Sequence, residues 1–233
     1  MNTLKILSGG AAQGLADALT PEFKTITGWA IEGEFGAVGI MADRLRAGIP
    51  ADAVVLTTAV LKALAGQNLI YPTTIRNVGL VETAVAVRSD DPHFEIDSAE
   101  ALREALLASD AIFVPDTKSS TAGVHVAKIL KGLGLADQIA ARLCEFPNGA
   151  TAMRHLAASK ASRPIGCTQT TEILNTPGLT LIGPLPHGYE LTTMYAAALT
   201  ATTEHAAIGQ AFIDLLTGDD HRALRRKAGF QDS

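Results

Sequence analysis

The sequence predicts an α/β protein, on the basis of two observations. Short apolar segments alternate with helical segments whose apolar residues recur three and four positions apart, as in Leu15, Ala18 and Leu19. In addition, two long extended segments, near residues 79–89 and 188–202, lie on either side of a self-contained α/β block. Because strands linked by helices form sheets that are covered on both faces, we expect mostly parallel sheets.

The first part of the chain is predicted to form three strand–helix pairs. The expected strands are residues 3–9, 29–36 and 51–58, and the expected helices are residues 11–28, 37–48 and 59–67. The central part begins with an extended segment at 79–90, followed by a helix at 98–109 with Ser98 as its N-cap. After these come strands at 111–116, 164–169 and 179–186, helices at 124–135 and 150–160, a second extended segment at 189–203, and two terminal helices broken at Gly218.

The extended segments suggest how the chain is divided into lobes. A chain that crosses to a second lobe and returns needs two such segments, so we expect one lobe of residues 1–82 with 195–233 and a second lobe of residues 83–194, with a ligand cleft between them. The alternative is a single, continuous, doubly wound sheet.

The composition describes a globular protein with a small negative charge. Hydrophobic residues make up 47% of the 233 residues, and the formal net charge is −5. Surfaces that bind nucleic acid are basic, so no nucleic-acid partner is expected. No apolar segment approaches the ~20 residues of a membrane span, and no signal peptide precedes the first strand. We therefore expect a cytoplasmic protein, or a periplasmic one if a signal peptide has been trimmed from the chain.

The cysteines and histidines do not suggest a metal site. Cys144 and Cys167 are not part of a CxxC motif, and the six histidines are scattered. We expect two buried thiols, with a single disulfide as the alternative, and neither a metal nor a cofactor.

The loops that follow most predicted strands are small, polar and neutral. They are residues 8–14, 35–39, 56–60, 117–123, 147–151 and 167–172. Ligands of open α/β sheets bind beyond the carboxyl ends of the strands, where helix N-termini offer unpaired N–H groups. Such loops suit an anion with several oxygens, although each one taken alone is equally typical of an ordinary helix cap or tight turn. Among them, Thr57 and Thr170 are candidate hydroxyl donors, and Lys118 is the one cation.

No conventional catalytic motif is present. The glycines at positions 9, 10 and 14 do not have the dinucleotide-binding spacing, and no phosphate loop or nucleophile elbow occurs. If the protein is an enzyme, the candidate bases are Glu34 and Glu172, which lie near loop mouths, and His125, which follows the hydroxyl-rich loop.

Several of these segments carry a resemblance to a known family. They are residues 6–28, residues 35–58 with the Gly-Ile-Pro-Ala-Asp turn, residues 120–137, residues 165–174 and residues 183–186. On these segments the chain resembles the type 2 solute-binding proteins, specifically the branch of periplasmic molybdate-binding proteins, over nearly its full length. The resemblance implies the type 2 periplasmic binding protein fold, in which two Rossmann-like lobes with mostly parallel sheets are joined by two crossing strands.

The resemblance also implies a set of ligand contacts. In the first lobe these are Ser8, Gly9, Gly10, Ala37, Val38 and Gly39, and in the second they are Ser119, Ser120, Thr121 and Gln169. The family has serines where this chain has Ala37, Val38 and Gly39, and a tyrosine near Gln169 or Thr170. Fewer hydroxyls and an added amide fit a carboxylate at least as well as a molybdate-like oxyanion. If the protein is exported, the implied partner is an ABC transporter permease.

Two other functions stay open. Aconitate isomerase is an enzyme similar to this branch, so the resemblance also allows an isomerase that removes a proton next to a carboxyl group. A cytoplasmic ligand sensor without chemistry, acting through lobe closure, is the third hypothesis.

Overall fold

A computed structural model describes residues 2–232 of the chain. In chain order its helices and strands are β1 (Thr3–Gly9), α1 (Gln13–Thr27), β2 (Ala30–Gly36), α2 (Val38–Arg46), β3 (Ala53–Thr57), α3 (Thr58–Gly66), β4 (Arg76–Arg88), α4 (Ala99–Ala108), β5 (Ala111–Pro115), α5 (Thr121–Gly132), α6 (Ala136–Ile139), β6 (Leu143–Phe146), α7 (Gly149–Ala157), β7 (Pro164–Gln169), α8 (Thr170–Leu174), β8 (Leu179–Pro184), β9 (Thr192–Leu199), α9 (Ala206–Thr217) and α10 (Arg222–Lys227).

The contacts within the chain divide it into two compact units. Unit 1 extends to Val81 and resumes at Thr193, and unit 2 is Glu82–Thr192. The chain therefore leaves unit 1 within β4 and returns to it at the start of β9. The α/β class is confirmed, whereas the lobe limits expected from the sequence (1–82 with 195–233, and 83–194) and the ligand cleft stay predictions.

Unit 1 contains a four-stranded sheet in the order β2-β1-β3-β9. The strands β1, β2 and β3 are parallel, and β9 pairs with β3 in the antiparallel direction. Every residue of β3 is buried, as expected for a strand covered on both faces. Phe23 of α1 and Phe212 of α9 pack edge to face, with ring centroids 6.0 Å apart, and close the core on one side of this sheet.

Unit 2 repeats this arrangement. Its sheet has the order β8-β4-β7-β5-β6, in which β5, β6 and β7 are parallel and β4 is antiparallel to both of its neighbours. All residues of β7 are buried. Ile112, Val126 and Ile165 belong to one apolar cluster of this unit, and Met153 belongs to another.

The helix ends follow the expected local signals. Gly28 ends α1 with a φ of 74°, a backbone conformation that costs glycine little. The predicted cap Ser98 accepts a hydrogen bond of 3.1 Å from the N–H of Ala101, which confirms the expected start of α4. The terminal helices α9 and α10 are interrupted at Gly218, also as predicted.

The structure differs from the sequence prediction in several places, and the short helices α6 and α8, for example, were not predicted. The helix α5 begins at Thr121, three residues before the expected start, because the hydroxyl-rich segment enters the helix rather than remaining a loop. The strand β6 was not predicted: it has only four residues and lies at the edge of the sheet, so it carries little of the apolar pattern that marks buried strands.

Candidate functional site

The carboxyl ends of β1, β2 and β3 lie at one edge of unit 1. Gly9 pairs with Gly36, and Ser8 pairs with both Phe35 and Val55, so the loops that follow these parallel strands are neighbours. The predicted ligand residues of the first lobe are brought together here: Ser8, Gly9, Gly10, Ala37, Val38, Gly39 and Thr57.

Three helical segments start at this edge without a capping side chain. Gly9, Ala37 and Thr57 occupy the N-cap positions before the 3-10 turn Gly10–Ala12, α2 and α3. All three have extended backbone, and none of their side chains accepts a hydrogen bond from the following turn. The first N–H groups of these segments and the positive ends of the α2 and α3 dipoles therefore remain available to a ligand.

Gly9 is closely surrounded, which explains why no side chain is present there. A Cβ atom on Gly9 would lie 3.0 Å from Val38 Cγ2 and 3.1 Å from Tyr195 Cε1. Tyr195 is buried and packs edge to face against Phe230. A larger residue at position 9 would therefore push against Val38 and Tyr195.

In unit 2 the corresponding edge is formed by the ends of β5 and β7. Because these strands are parallel neighbours, the loop after β5 lies beside the residues that follow β7. Lys118, Ser119, Ser120 and Thr121 lie on the first side, and Gln169 and Thr170 on the second. Ser120 is the N-cap of the twelve-residue helix α5, and its side chain makes no capping bond.

Asp116 organises the loop before α5. Its Oδ1 atom accepts hydrogen bonds from the N–H of Lys118 (3.0 Å), the N–H of Ser119 (2.7 Å) and the Ser119 hydroxyl (2.7 Å). The hydroxyl and backbone bonds from Ser119 lower the pKa of Asp116, so the carboxylate is charged at neutral pH. The Ser119 hydroxyl, expected to contact a ligand, is thus already engaged.

The candidate hydroxyls fall into two groups. The engaged group also includes Ser8, which donates to the carbonyl of Gly9 (3.0 Å), and Thr170, which donates to the carbonyl of Glu82 (3.0 Å). The other group consists of Thr57, Ser120 and Thr121. Their hydroxyls have no hydrogen-bond partner within residues 2–232. Thr57 is 7% exposed and Ser120 is 9% exposed, so both residues are largely buried at helix N-termini.

Gln169 leaves one polar atom unsatisfied. The residue is 3% exposed, and its Nε2 donates a 3.3 Å hydrogen bond to Thr83 Oγ1. Its Oε1 is buried and has no partner within the described part of the chain. Buried polar atoms nearly always have a partner, so this acceptor is a feature that a ligand would explain.

Glu172, one of the candidate bases, is fully engaged inside unit 2. Its Oε2 accepts a 2.5 Å hydrogen bond from the Thr168 hydroxyl. Burial raises its pKa, and bonds from that hydroxyl and from the N–H groups of Ala150, Gln169 and Gly149 partly offset the shift. The carboxyl group therefore caps the N-terminus of α7, where Asn148 also accepts from the N–H of Thr151 at 2.8 Å.

The other two candidate bases lie in less confined positions. Glu34 on β2 is 48% exposed and forms an ion pair of 2.7 Å with Arg44. The Nε2 of His125 lies 2.7 Å from the carbonyl oxygen of Tyr189. The ammonium group of Lys118 is exposed and forms no ion pair within residues 2–232.

Two cavities lie away from these edges. A cavity of about 460 Å³ in unit 1 is lined by residues at the start of β1, including Thr3 and Lys5. A cavity of about 590 Å³ in unit 2 is lined by Phe94 and by Pro164, the first residue of β7, among others. Both are therefore at the amino ends of the strands. Among residues 2–232, no group of three His, Cys, Asp or Glu side chains could hold a metal ion.

Three residues with clear roles were missed by the sequence analysis. The role of Asp116 had a local sequence signal. An aspartate whose side chain accepts from the N–H groups two and three residues later, here Lys118 and Ser119, is typical of an Asx turn. Thr83 and Thr168 had none, because their partners Gln169 and Glu172 are identified only by strand pairing and helix packing.

The comparisons with known proteins agree on one family and one fold. The model of a family described as bacterial extracellular solute-binding protein matches residues 4–231. Aconitate isomerase from a Pseudomonas species is 25% identical over 231 residues, covering 94% of this chain and 84% of that protein.

Two solved structures share the fold at low identity. The periplasmic molybdate-binding protein of Azotobacter vinelandii superposes with a TM-score of 0.81 at 18% identity, covering 99% of each chain. The sulfate-binding protein of Mycobacterium tuberculosis superposes with a TM-score of 0.75 at 14% identity, covering 100% of this chain and 87% of that one. The periplasmic binding fold expected from the sequence is confirmed. No helix among the described residues is long and apolar enough to span a membrane.

Proposed function

Since the chain belongs to the bacterial extracellular solute-binding protein family, we propose that it binds a small oxygen-rich anion reversibly and releases it unchanged. One observation carries this proposal: the buried residues Thr57 and Ser120 place hydroxyls, without partners in residues 2–232, at helix N-termini that lack capping bonds. A helix N-terminus carries a partial positive charge of about +0.5 and offers unpaired N–H donors, which together favour an anion.

The contrast with other helices supports a binding role for these termini. The N-caps Ser98 and Asn148 do accept hydrogen bonds from the first turns of α4 and α7. The contrast is with α4 and α7 only, because α1, α8, α9 and α10 also begin without a side-chain capping bond. Its absence at Thr57 and Ser120 leaves a donor and a hydroxyl that a ligand oxygen can satisfy.

We propose that donors of both units contact the same anion. In unit 1 they are the N–H groups and hydroxyls of Ser8, Gly9, Gly10, Ala37, Val38, Gly39 and Thr57, and in unit 2 those of Lys118, Ser119, Ser120, Thr121, Gln169 and Thr170. Because Ser8 and Thr170 use their hydroxyls internally, these two would contribute through their backbone. Asp116 engages both the hydroxyl and the N–H of Ser119, so Ser119 would contact the anion only by exchanging one of these bonds.

The ligand class is proposed from the chemistry of the donors. Two proteins of the same fold are a molybdate-binding and a sulfate-binding protein, which supports a small oxyanion. Ala37 and Val38 carry no hydroxyl, and Gln169 offers an amide instead. The small number of hydroxyls at these positions favours a carboxylate as the ligand. The proposal therefore includes both a carboxylate and a molybdate-like oxyanion.

Calorimetric titration tests the proposal directly. Molybdate, tungstate, sulfate, phosphate and di- and tricarboxylates would each be titrated into the protein, with chloride as the control. At ~100-fold over its Kd, a true ligand stabilises the folded state by roughly 2.7 kcal/mol, so thermal unfolding provides a second measurement. If no anion of this panel binds more tightly than chloride, the proposal is wrong.

The second candidate function is isomerisation of a polycarboxylate such as aconitate, favoured by the similarity to aconitate isomerase. A base would remove a proton from the methylene carbon next to a carboxyl group. The C–H electron pair would form the new double bond, and a proton would return at the other end of the allylic system. Glu34, His125 and Glu172 are the candidate bases. Incubation with cis- and trans-aconitate in D2O, followed by NMR, excludes this function if neither interconversion nor deuterium uptake exceeds the blank.

The family description supports action outside the cytoplasm. We propose a periplasmic protein that delivers its ligand to an ABC transporter permease. Fractionation of native cells with an antibody against this chain tests the compartment. Recovery with the cytoplasm would instead favour the ligand sensor.

A further inference from the structure

Two hydrogen-bond acceptors at the carboxyl edge of unit 2 have no partner among residues 2–232, one on the half-buried Asp116 and one on the buried Gln169. Asp116 directly follows β5, and Gln169 is the last residue of the neighbouring parallel strand β7. Asp116 Oδ1 holds the loop before α5, while its Oδ2 forms no hydrogen bond within residues 2–232. Gln169 Oε1 is buried and likewise has no partner among the described residues.

We propose that Asp116 and Gln169 make the site selective for an anion that also carries an O–H donor, over an anion that has acceptors only. This inference rests on the proposed function, because it concerns the ligand of that same site. Hydroxycarboxylates and monohydrogen oxyanions share this chemistry. Fully deprotonated molybdate, tungstate and sulfate do not, because each of their oxygens is an acceptor.

The physical reason is the pairing of donors with acceptors. The N-terminus of α5 and the Ser120 hydroxyl can donate to the charged oxygens of a ligand. A carboxylate and an amide oxygen close to them repel a ligand oxygen that has no hydrogen, and they accept a hydrogen bond from one that has. A site that accepts from a ligand hydroxyl discriminates strongly against the analogue that lacks it, because its own acceptors then stay unpaired.

The experiment uses two matched pairs of ligands that differ in this donor. Citrate and tricarballylate have the same three carboxylates, and only citrate has a hydroxyl. Phosphate and sulfate are similar tetrahedral anions, and only phosphate keeps a proton near neutral pH. We expect calorimetry to give a Kd at least about tenfold lower for the donor-bearing member of whichever pair binds. The pair that binds distinguishes a hydroxycarboxylate ligand from a hydrogen oxyanion.

The variant Asp116→Asn tests the role of Asp116. Its amide oxygen can still hold the N–H groups of Lys118 and Ser119, whereas an N–H donor replaces the free oxygen. The preference should fall by at least about fivefold, through tighter binding of the acceptor-only anion. Gln169→Leu removes the second acceptor without adding a donor, so it should reduce the preference by weakening the donor-bearing ligand.

Asp110, at the other end of β5, provides a matched control for Asp116. Asp110 also accepts two backbone bonds, from the N–H groups of Ser162 (2.7 Å) and Arg163 (2.9 Å). Asp110→Asn should leave the preference unchanged. Circular dichroism and thermal unfolding of each variant identify any variant that has not folded.

Three outcomes would overturn the inference. If wild type binds sulfate as tightly as phosphate, or tricarballylate as tightly as citrate, the inference is wrong while the proposed function remains intact. A preference that survives both Asp116→Asn and Gln169→Leu in folded protein shows that other residues set it. Failure of wild type to bind these four anions or any other anion of the calorimetric panel contradicts the proposed function and this inference together.

Discussion

The hydroxyl of Thr168 donates a 2.5 Å hydrogen bond to the carboxyl group of Glu172, a contact that is completely buried in unit 2. Glu172 also accepts from backbone N–H groups at the start of α7, so one side chain joins β7, α7 and α8. The carboxyl group has no basic partner among residues 2–232 and is stabilised by neutral donors.

The first prediction concerns the pH dependence of stability. Burial raises the pKa of Glu172 above its usual 4.5, so the folded chain holds this proton more tightly than the unfolded chain. The resulting stabilisation is complete below the unfolded pKa and is lost as the pH rises through the folded pKa. Lowering the pH from about 7 to about 5 should therefore stabilise wild type relative to Glu172→Gln.

Urea unfolding of both proteins at the two pH values measures this effect. Glu190 provides a control of opposite sign, because bonds with its own backbone N–H and with His187 lower its pKa. Wild type should not gain stability over Glu190→Gln as the pH falls. A free-energy difference between wild type and Glu172→Gln that does not change with pH would contradict the prediction.

The second prediction concerns Gly149, which faces the Glu172 carboxyl group. A Cβ atom there would lie 1.9 Å from Glu172 Oε2 and 2.1 Å from Thr168 Oγ1, so Gly149→Ala forces both side chains to move. We expect a loss of about 1–3 kcal/mol in the free energy of unfolding. At Gly132 nothing lies within 4 Å of such a Cβ, so Gly132→Ala should not destabilise the protein. Equal effects of the two substitutions in urea unfolding would show that the crowding at Gly149 relaxes freely.

The third prediction separates capping from binding with two serines. Ser98→Ala removes the bond to the N–H of Ala101, so it should cost about 1 kcal/mol of stability and leave anion affinity unchanged. Ser120 makes no capping bond, so Ser120→Ala should cost less stability and weaken the best-binding anion by about tenfold. Urea unfolding and calorimetric titration are needed for both variants. An affinity that is the same in Ser120→Ala and wild type would remove Ser120 from the proposed site.

The fourth prediction concerns the thiols, which are both free in the structure. Burial raises the pKa of Cys167 to about 12, so it should form almost no thiolate in the folded protein near pH 8. Cys144 is only half-buried. In a thiol-reagent assay the folded protein should react at Cys144 first, and both thiols should react in denaturant. Detection of no thiols after unfolding would instead indicate a disulfide.

Local signals were sufficient to predict most of the elements. The glycine after α1, the serine before α4 and the break at Gly218 each act through their immediate neighbours, and all three lie where the sequence predicted. The sequence did not predict β6, because an edge strand of four residues needs little apolar patterning. Nor did it show that Glu172 caps α7, because that contact depends on the tertiary packing of segments separated along the chain.

The candidate site was predictable to a similar extent. The sequence identified the loops, because small and hydroxyl residues before helices have a direct physical meaning. It could not show which hydroxyls are free. Ser119 and Ser120 are adjacent and chemically identical, yet only the hydroxyl of Ser119 bonds to the Asp116 carboxylate. That distinction depends on the direction in which each side chain points.

The position of β9 has a consequence for biosynthesis. The sheet of unit 1 is incomplete until Val54 of β3 meets Ala198 of β9, whereas unit 2 is one continuous segment of chain. On the ribosome, the last strand of unit 1 is therefore made only after all of unit 2 has been translated. We expect the N-terminal strands to remain an incomplete, apolar intermediate until β9 is available. Chaperones that act during translation should therefore bind the nascent chain first at these strands.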